Sequence, residues 1–455
     1  MTVSRLFGTD GVRGVANLEL TPELAFRLGF AATQELFAQQ NGRGELAAER
    51  PFVVVGKDTR QSGDMLEAAL VAGILSAGMD VWRLGVLPTP GVAYVTRTVG
   101  AAAGVMISAS HNPMEDNGIK FFGPDGFKLL DAQEDDIEQR LQERIETDRP
   151  VGSGVGRAQD RFDLKDSYAA FLQQTVRHSF AGLRVAVDAA NGAAYELARD
   201  VLEALGAQVV LFHGEPDGLN INVNCGSTHP EEIVRLTRET GAQVGLSFDG
   251  DADRLMAADE RGGLVDGDRM MLICGRDLRD RGLLRGHTVV TTVMSNYGFV
   301  KAARVAEIEL VRTSVGDRYV MEAMREGGYV LGGEQSGHII FLQHNTTGDG
   351  LLTALQLLDV MVERGVPLGE LAQVMRSYPQ TLINVRVRDK NAWRTNAAVA
   401  QAIADVEARL GDDGRILVRE SGTEPIVRVM VEAPDEDVVR EYAEAVAGVV
   451  RTELG

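Results

Sequence analysis

The chain is nearly without sulfhydryls, and its positive charge falls well short of its negative charge. Two cysteines, Cys225 and Cys274, are spread over 455 residues. They form no CxxC pair and no disulfide framework, which suits a reducing compartment, and both read as small buried residues. Lys and Arg number 46 against 66 Asp and Glu, a net charge of -20. A surface of that sign repels polynucleotides and excludes nucleic acid as the expected substrate, although a local arginine cluster can still hold a small phosphorylated molecule. No apolar run approaches the roughly 20 residues of a membrane helix. Met1 to Arg5 lead into glycine and charge rather than a signal peptide, so no membrane contact and a cytoplasmic location are expected.

The remaining composition, 44% hydrophobic and 25% charged, is that of an ordinary soluble globular protein. The length exceeds one core and implies three or four domains. Three stretches repeat a β-rich run, a turn, an amphipathic helix and another β-rich run. They are Phe52–Gly56 with Val81–Leu84, Leu183–Asp188 with Gln208–Phe212, and Thr288–Val293 with Ile308–Val311. Their helices are expected near Asp64–Ala77, Tyr195–Leu205 and Tyr297–Ala306. Beyond Pro379 the pattern changes to alternating strands, a helix over Asn391–Arg409 and a closing helix over Asp435–Arg451. The fold class is therefore α/β: three related α/β domains with mixed sheets plus a smaller C-terminal α+β domain. The expected boundaries are 1–155, 156–254, 255–376 and 377–455.

Ala103–Ser108 reads as a buried strand stopped by Asn112-Pro113, which leaves the hydroxyl of Ser110, with His111 beside it, at a strand end where α/β sheets place ligands. A purely local polar turn is the alternative. Asp249, Asp251 and Asp253 follow another strand at alternating positions. Three carboxylates so close repel one another, and a hard dication is the simplest neutraliser, with Mg²⁺ the default. A calcium EF-hand, with Glu260 in register as its last ligand, and a solvated acidic turn stay open. Arg254 at the required glycine and the strand-like flanks speak against the EF-hand. Glu334 and Ser336, in a glycine-rich turn, can bond sugar-like hydroxyls, and His338 can move a proton or be structural. Arg419, Ser421, Gly422, Thr423 and Arg428 form a candidate phosphate cradle or an ordinary hairpin. Arg13 lies in a glycine-spaced loop, and Lys120 is expected to return on a hairpin turning at Asn117-Gly118, or to lie on a solvated edge.

Taken together, Ser-Ala-Ser-His-Asn-Pro, Asp-Gly-Asp-Ala-Asp-Arg, Gly-Glu-Gln-Ser-Gly-His and Arg-Glu-Ser-Gly-Thr-Glu-Pro, in this order over the whole chain, resemble the α-D-phosphohexomutase superfamily. Phe7–Gly14, Asn220–Glu231 and Thr346–Leu352 resemble its glucosamine-phosphate branch. The resemblance implies four domains around a central cleft, with Ser110 as a phosphoserine. It implies one Mg²⁺ held by Asp249, Asp251, Asp253 and the Ser110 phosphate, and sugar hydroxyls held by Glu334 and Ser336. The 419–428 loop would grip the phosphate that is not reacting. Lys120, Arg254 and His338 would serve proton transfer and charge stabilisation, and Arg13 would support the phosphoserine. The implied reaction interconverts glucosamine 6-phosphate and glucosamine 1-phosphate through a sugar 1,6-bisphosphate, which also primes Ser110, and supplies amino-sugar nucleotides for cell-wall precursors. The expected partner is thus a small hexosamine phosphate, with the oligomeric state open, a homodimer included. A glucose or mannose phosphate mutase, a metal-dependent sugar phosphatase and a non-catalytic sensor are the rivals.

Overall fold

The computed structural model describes residues 5–8, 10–42, 50–142, 149–421 and 424–455. They form two compact units, residues 1–293 with 308–373, and residues 294–307 with 374–455. No helix among the described residues is long and apolar enough to cross a membrane.

The first unit carries three mixed sheets. One runs Val12–Val15, Asp116–Phe122, Ala103–Ile107, Phe52–Lys57, Asp80–Val86, Ala158–Asp160. The second runs Leu264–Val265, Leu255–Asp259, Val244–Phe248, Arg184–Asp188, Gln208–Phe212. The third runs Glu309–Thr313, Thr288–Thr292, Leu331–Gly333, Ile339–Phe341. Central strands are apolar throughout because both faces are covered, and every residue of Ala103–Ile107 and of Val244–Phe248 is buried. Helix starts follow local chemistry. Thr21 Oγ1 accepts from the Leu24 amide at 3.2 Å ahead of Pro22, and Pro230 opens a helix with Glu231 and Glu232 in its first turn.

The three sheets share one connectivity. A first strand leads through a helix to a parallel neighbour. A second helix then carries the chain to a third strand on the other side of the first, and the chain returns antiparallel. The three returns leave from residues 108–115, 249–254 and 334–338. Each loop therefore occupies the same place, beside the point where connections from neighbouring strands diverge and a crevice opens at the strand ends. Three of the four motifs are one topological position used three times.

Sheet pairing moves two expected boundaries. Ala158–Asp160 pairs with Asp80–Val86, so the first sheet extends past 155, and Leu255–Asp259 with Leu264–Val265 completes the second sheet past 254. Both errors arise because an edge strand is held by hydrogen bonds to residues distant in sequence. Asn117-Gly118 is not a turn either: both lie within Asp116–Phe122, where Gly118 faces Arg13 and Lys120 faces Met106. Gly118 is a close approach, since a Cβ there would sit 2.5 Å from the Ser108 carbonyl oxygen.

In the second unit, Gln380–Arg386, Ile426–Glu432 and Arg415–Glu420 make an antiparallel sheet covered by the helices Ala397–Leu410 and Glu436–Leu454. The expected helix from Asn391 is a short 3₁₀ turn, Ala392–Arg394, followed by a fresh start. There Asn396 caps the helix by accepting from the Val399 amide at 3.0 Å. The helix Tyr297–Val305 belongs to this unit although its flanking strands belong to the first.

Candidate active site

Ser110 stands at the tip of the first return with φ of +53°, a left-handed conformation that costs a non-glycine residue about 1–2 kcal/mol. The surroundings over-determine it. Its amide donates to Ser108 Oγ at 2.9 Å, and Ser108 Oγ donates to Asp58 Oδ2 at 2.6 Å. Arg60, fully buried and ion-paired to Asp58, donates to the carbonyls of Ser110 at 3.0 Å and Asn112 at 2.6 Å. Asn222 Nδ2 reaches the same two carbonyls at 2.9 and 3.0 Å. Burial pushes the Asp58 carboxyl up, although Arg60 and Ser108 oppose it. Ser108 is thus spent on holding the loop, whereas Ser110 Oγ points at Asp249 Oδ2, 2.5 Å away, with His111 Nδ1 at 3.2 Å.

Asp58 and Arg60 carry no motif of their own, and Asn222 lies in the Asn220–Glu231 segment with no local chemistry to single it out, which is why sequence reasoning assigned a role to none of the three. Arg60→Lys keeps the charge but loses the planar fork that spans two carbonyls. The expected result is a folded protein in which phosphorylation of Ser110 slows about 10²-fold, the usual cost of a 1 Å misplacement, as read by rapid-quench labelling.

The same device recurs in the second sheet. There Asp188, at the end of the first strand, accepts from the Ala190 amide at 2.9 Å, as Asp58 does from that of Arg60. It also receives the hydroxyl of Ser247 at 3.3 Å, two residues before Asp249, as Asp58 receives that of Ser108 two residues before Ser110. Gly250 is required for the two loops to meet, because a Cβ there would run into the Ser110 carbonyl oxygen.

Asp249, Asp251 and Asp253 are buried, and each offers an oxygen within 4.8 Å of the others. Asp251 Oδ2 accepts from Lys120 Nζ at 2.7 Å and Thr89 Oγ1 at 2.5 Å. His338 Nδ1 lies 3.5 Å from Asp253 and Lys120 Nζ 3.9 Å from it. Burial, then Asp253 and Asp251, push the Asp249 carboxyl well above its ordinary range. Burial works the same way on Asp253, but His338, Lys120 and Arg254 outweigh it and hold that group well below. Asp251 Oδ1 and Asp253 Oδ1 are buried with no hydrogen-bond partner among the described residues. Orphaned carboxylate oxygens beside a carboxyl that resists ionisation fit an oxygen-ligating dication. The EF-hand is excluded by geometry, since strands flank the loop on both sides and Glu260 turns instead to the Gly369 amide at 3.0 Å.

Arg254 Nη1 lies 3.2 Å from His111 Nδ1. Burial, Arg254 and Arg13 push the His111 imidazole down to about 4, so the ring is neutral near pH 7 and its Nδ1 accepts. Arg13 donates to Asp10 at 3.1 Å, and Asp10 also takes Lys128 at 2.8 Å. Lys128 in turn pairs with Asp317, which stands 3.7 Å from His338 Nε2. This chain of charges from Arg13 to His338 joins the first and third sheets, and only Arg13 and His338 in it were legible beforehand. Glu334 and Ser336 lie in the third return, where Glu334 Oε1 accepts from the Gly316 amide at 3.1 Å.

In the second unit, Arg419 and Arg428 are paired directly across the hairpin. Burial and then Arg428 lower the affinity of Arg419 for its proton, and Arg428 Nε is buried with no hydrogen-bond partner among the described residues. Lys390, unmarked by any motif, donates to the Ser421 carbonyl at 2.8 Å. Gly422 and Thr423 fall outside the described residues.

Comparison with known proteins agrees with this fold. Residues 4–148, 166–263 and 266–378 match the phosphoglucomutase/phosphomannomutase alpha/beta/alpha domains I, II and III, and residues 382–449 match the C-terminal domain of the same family. The phosphoglucosamine mutases of Shouchella clausii and Geobacillus thermodenitrificans are 56% and 55% identical over 453 and 454 residues, covering all of both chains. Among solved structures, a phosphoglucomutase/phosphomannomutase family protein from Burkholderia thailandensis is similar at a TM-score of 0.81 and 24% identity, covering 99% of this chain and 98% of that one. Aspergillus fumigatus N-acetylphosphoglucosamine mutase, solved with GlcNAc-6P and magnesium, has a TM-score of 0.68 at 19% identity, covering 98% and 95%. With all four domains matched in order and full-length relatives above half identity, the chain belongs to the phosphoglucomutase/phosphomannomutase family.

Proposed function

We propose that this enzyme interconverts glucosamine 6-phosphate and glucosamine 1-phosphate, with Ser110 as the phosphoryl carrier. The observation that carries the reading is Ser110 Oγ 2.5 Å from Asp249, at the edge of a carboxylate cluster with two orphaned oxygens. It is supported by full-length relatives that carry the phosphoglucosamine mutase name.

Asp249, Asp251 and Asp253 would hold a Mg²⁺ ion, which when bound supplies Lewis-acid neutralisation of phosphoryl oxygen charge. The serine, once primed by a sugar 1,6-bisphosphate, gives up its phosphoryl group. The bond from phosphorus to Ser110 Oγ breaks as the free sugar hydroxyl bonds to phosphorus, the sugar proton leaves to a base and Oγ recovers one. The bisphosphate then turns and returns its other phosphate to the same oxygen. Lys120, held by Asp251, and Arg254, beside His111, supply fixed positive charge for a loose transition state. The Ser110 loop has little freedom to wander, so positioning needs no reorganisation at the moment of transfer. His338 and Asp253 form the candidate proton-handling pair, Glu334 and Ser336 the candidate sugar contacts. The juxtaposed Arg419 and Arg428 suit a phosphate dianion, whose charge would relieve their mutual repulsion.

The test compares kcat/KM on the 6-phosphates of glucosamine, glucose and mannose, together with release of free phosphate. A preference for glucosamine 6-phosphate of about tenfold or more is expected, the scale of one well-made contact to the C2 amine. A preference for either neutral sugar would reassign the substrate, and phosphate release outrunning isomer formation would make the protein a phosphatase.

A further inference from the structure

A second ligand cluster lies in the second sheet, tied to the acid loop through the Ser247 hydroxyl that Asp188 accepts. Asp188, His213 and Cys225 each place a donor atom within 4.8 Å of the other two. They come from three separate segments: the end of the strand Arg184–Asp188, the residue after the strand Gln208–Phe212, and the loop before the helix Pro230–Thr240. His213 Nδ1 is 3.0 Å from Asp188 Oδ1. From the geometry we propose that Asp188, His213 and Cys225 form a site for a thiophilic divalent cation of the zinc class, distinct from the all-oxygen site at Asp249.

The donor set carries the assignment. A thiolate, an imidazole and a carboxylate suit zinc or cobalt, whereas Mg²⁺ takes oxygens. Tetrahedral bonds of about 2.0 Å place neighbouring nitrogen and oxygen ligands about 3.3 Å apart, so Nδ1 and Oδ1 need part by only a few tenths of an ångström. The outer contacts are already built. Asp188 is oriented by the amides of Ala190 at 2.9 Å and Gly226 at 2.7 Å and by the Ser247 hydroxyl at 3.3 Å. These leave the direction toward His213 for a metal. His213 is itself held at φ of +47°. Its far nitrogen faces Glu232 at 3.9 Å, a carboxylate already engaged by Arg235 at 2.6 and 2.9 Å, which leaves Nδ1 as the ligating atom. Cys225 is buried, while the His213 side chain keeps 28% of its surface exposed and gives the ion and a fourth water ligand a way in. On ligation the thiol proton leaves to solvent, as metal–thiolate formation requires.

Cobalt reports this site by its thiolate charge-transfer absorption, which an oxygen-only site does not give. The full-length protein, with Mg²⁺ in excess, is titrated with Co²⁺. One equivalent is expected to produce the near-ultraviolet thiolate-to-cobalt band. Cys225→Ser should remove it, Cys274→Ser should leave it, and His213→Ala should weaken binding about tenfold or more. A second readout protects the proposal against a Cys225 variant that folds poorly. Zn²⁺ should raise the melting temperature of the unmodified chain in excess Mg²⁺, and should not raise that of His213→Ala, a substitution at a partly exposed side chain. Absence of the band at a tenfold excess of Co²⁺, its persistence in Cys225→Ser, or an equal zinc-induced shift in His213→Ala would overturn the proposal. The site does not depend on the substrate assignment, so a failed mutase assay and a failed titration are separate results.

Discussion

Ser110→Ala is expected to abolish the phosphoenzyme and to lower turnover by about 10⁴-fold or more, the scale seen when a covalent nucleophile is removed. The fold should survive. Alanine pays the same left-handed backbone strain as serine, and the loop is held through its carbonyls by Arg60 and Asn222 rather than through the Ser110 side chain. The loss should be complete in kind as well as large, because Ser108 has no free hydroxyl to substitute. Its oxygen donates to Asp58 and accepts the amide of residue 110, and it is fully buried. Intact mass after incubation with glucosamine 1,6-bisphosphate, with peptide mapping, checks the first claim and steady-state kinetics the second. Activity within a hundredfold of the unmodified enzyme would place the nucleophile elsewhere.

Asp251→Asn has two expected effects that separate cleanly. Removing one anionic ligand should raise the Mg²⁺ concentration for half-maximal activity by about 10- to 100-fold, read in a metal titration after chelator treatment of the protein. The same change also weakens a buried ion pair. Lys120 is 2% exposed and loses its nearest carboxylate at 2.7 Å, keeping Asp253 at 3.9 Å. Breaking a buried pair costs about 3–5 kcal/mol when one charge is stranded. The retained Asp253 contact and the amide oxygen of asparagine, still available to Thr89 and Lys120, place this case at about the lower bound of that range. A lowered melting temperature should therefore accompany the metal phenotype. Asp253→Asn instead removes the charge facing His338, so it should affect metal binding without exposing Lys120 in the same way. An unchanged metal titration in Asp251→Asn would remove that residue from the cation site.

The three acids, the strand-end serine and the glycine-rich turn at Glu334 were legible as candidates in the sequence because each lies in a short run of distinctive residue types. Three carboxylates brought together out of water need a neutraliser, and a proline, which cannot donate to a ladder, favours a strand end before it. The three-domain repeat was visible for a similar reason, since apolar runs and amphipathic helices are set by local periodicity. Asn117-Gly118 misled because the same dipeptide that makes a two-residue turn also permits close backbone approach, and only the Ser108 carbonyl beside Gly118 decides between them. The edge strands Ala158–Asp160 and Leu255–Asp259 were assigned across domain boundaries because strand pairing is a long-range hydrogen-bond property.

What the sequence by itself determined was the fold class, three α/β repeats followed by a smaller α+β domain, and a short inventory of candidates: a hydroxyl near a strand end, three alternating acids, a glycine-rich turn and a loop with two arginines. What only the tertiary structure decided was which groups are free to react. The sequence puts Ser108 in the strand and Ser110 just beyond it, and leaves open whether Ser108 could serve in place of Ser110. They differ because Asp58, some 50 residues upstream, takes the hydroxyl of Ser108, while Arg60 and Asn222 clamp the backbone that turns the hydroxyl of Ser110 toward Asp249. Hydrogen bonds between distant segments depend on packing rather than on neighbours in the chain, and packing chose between the two serines.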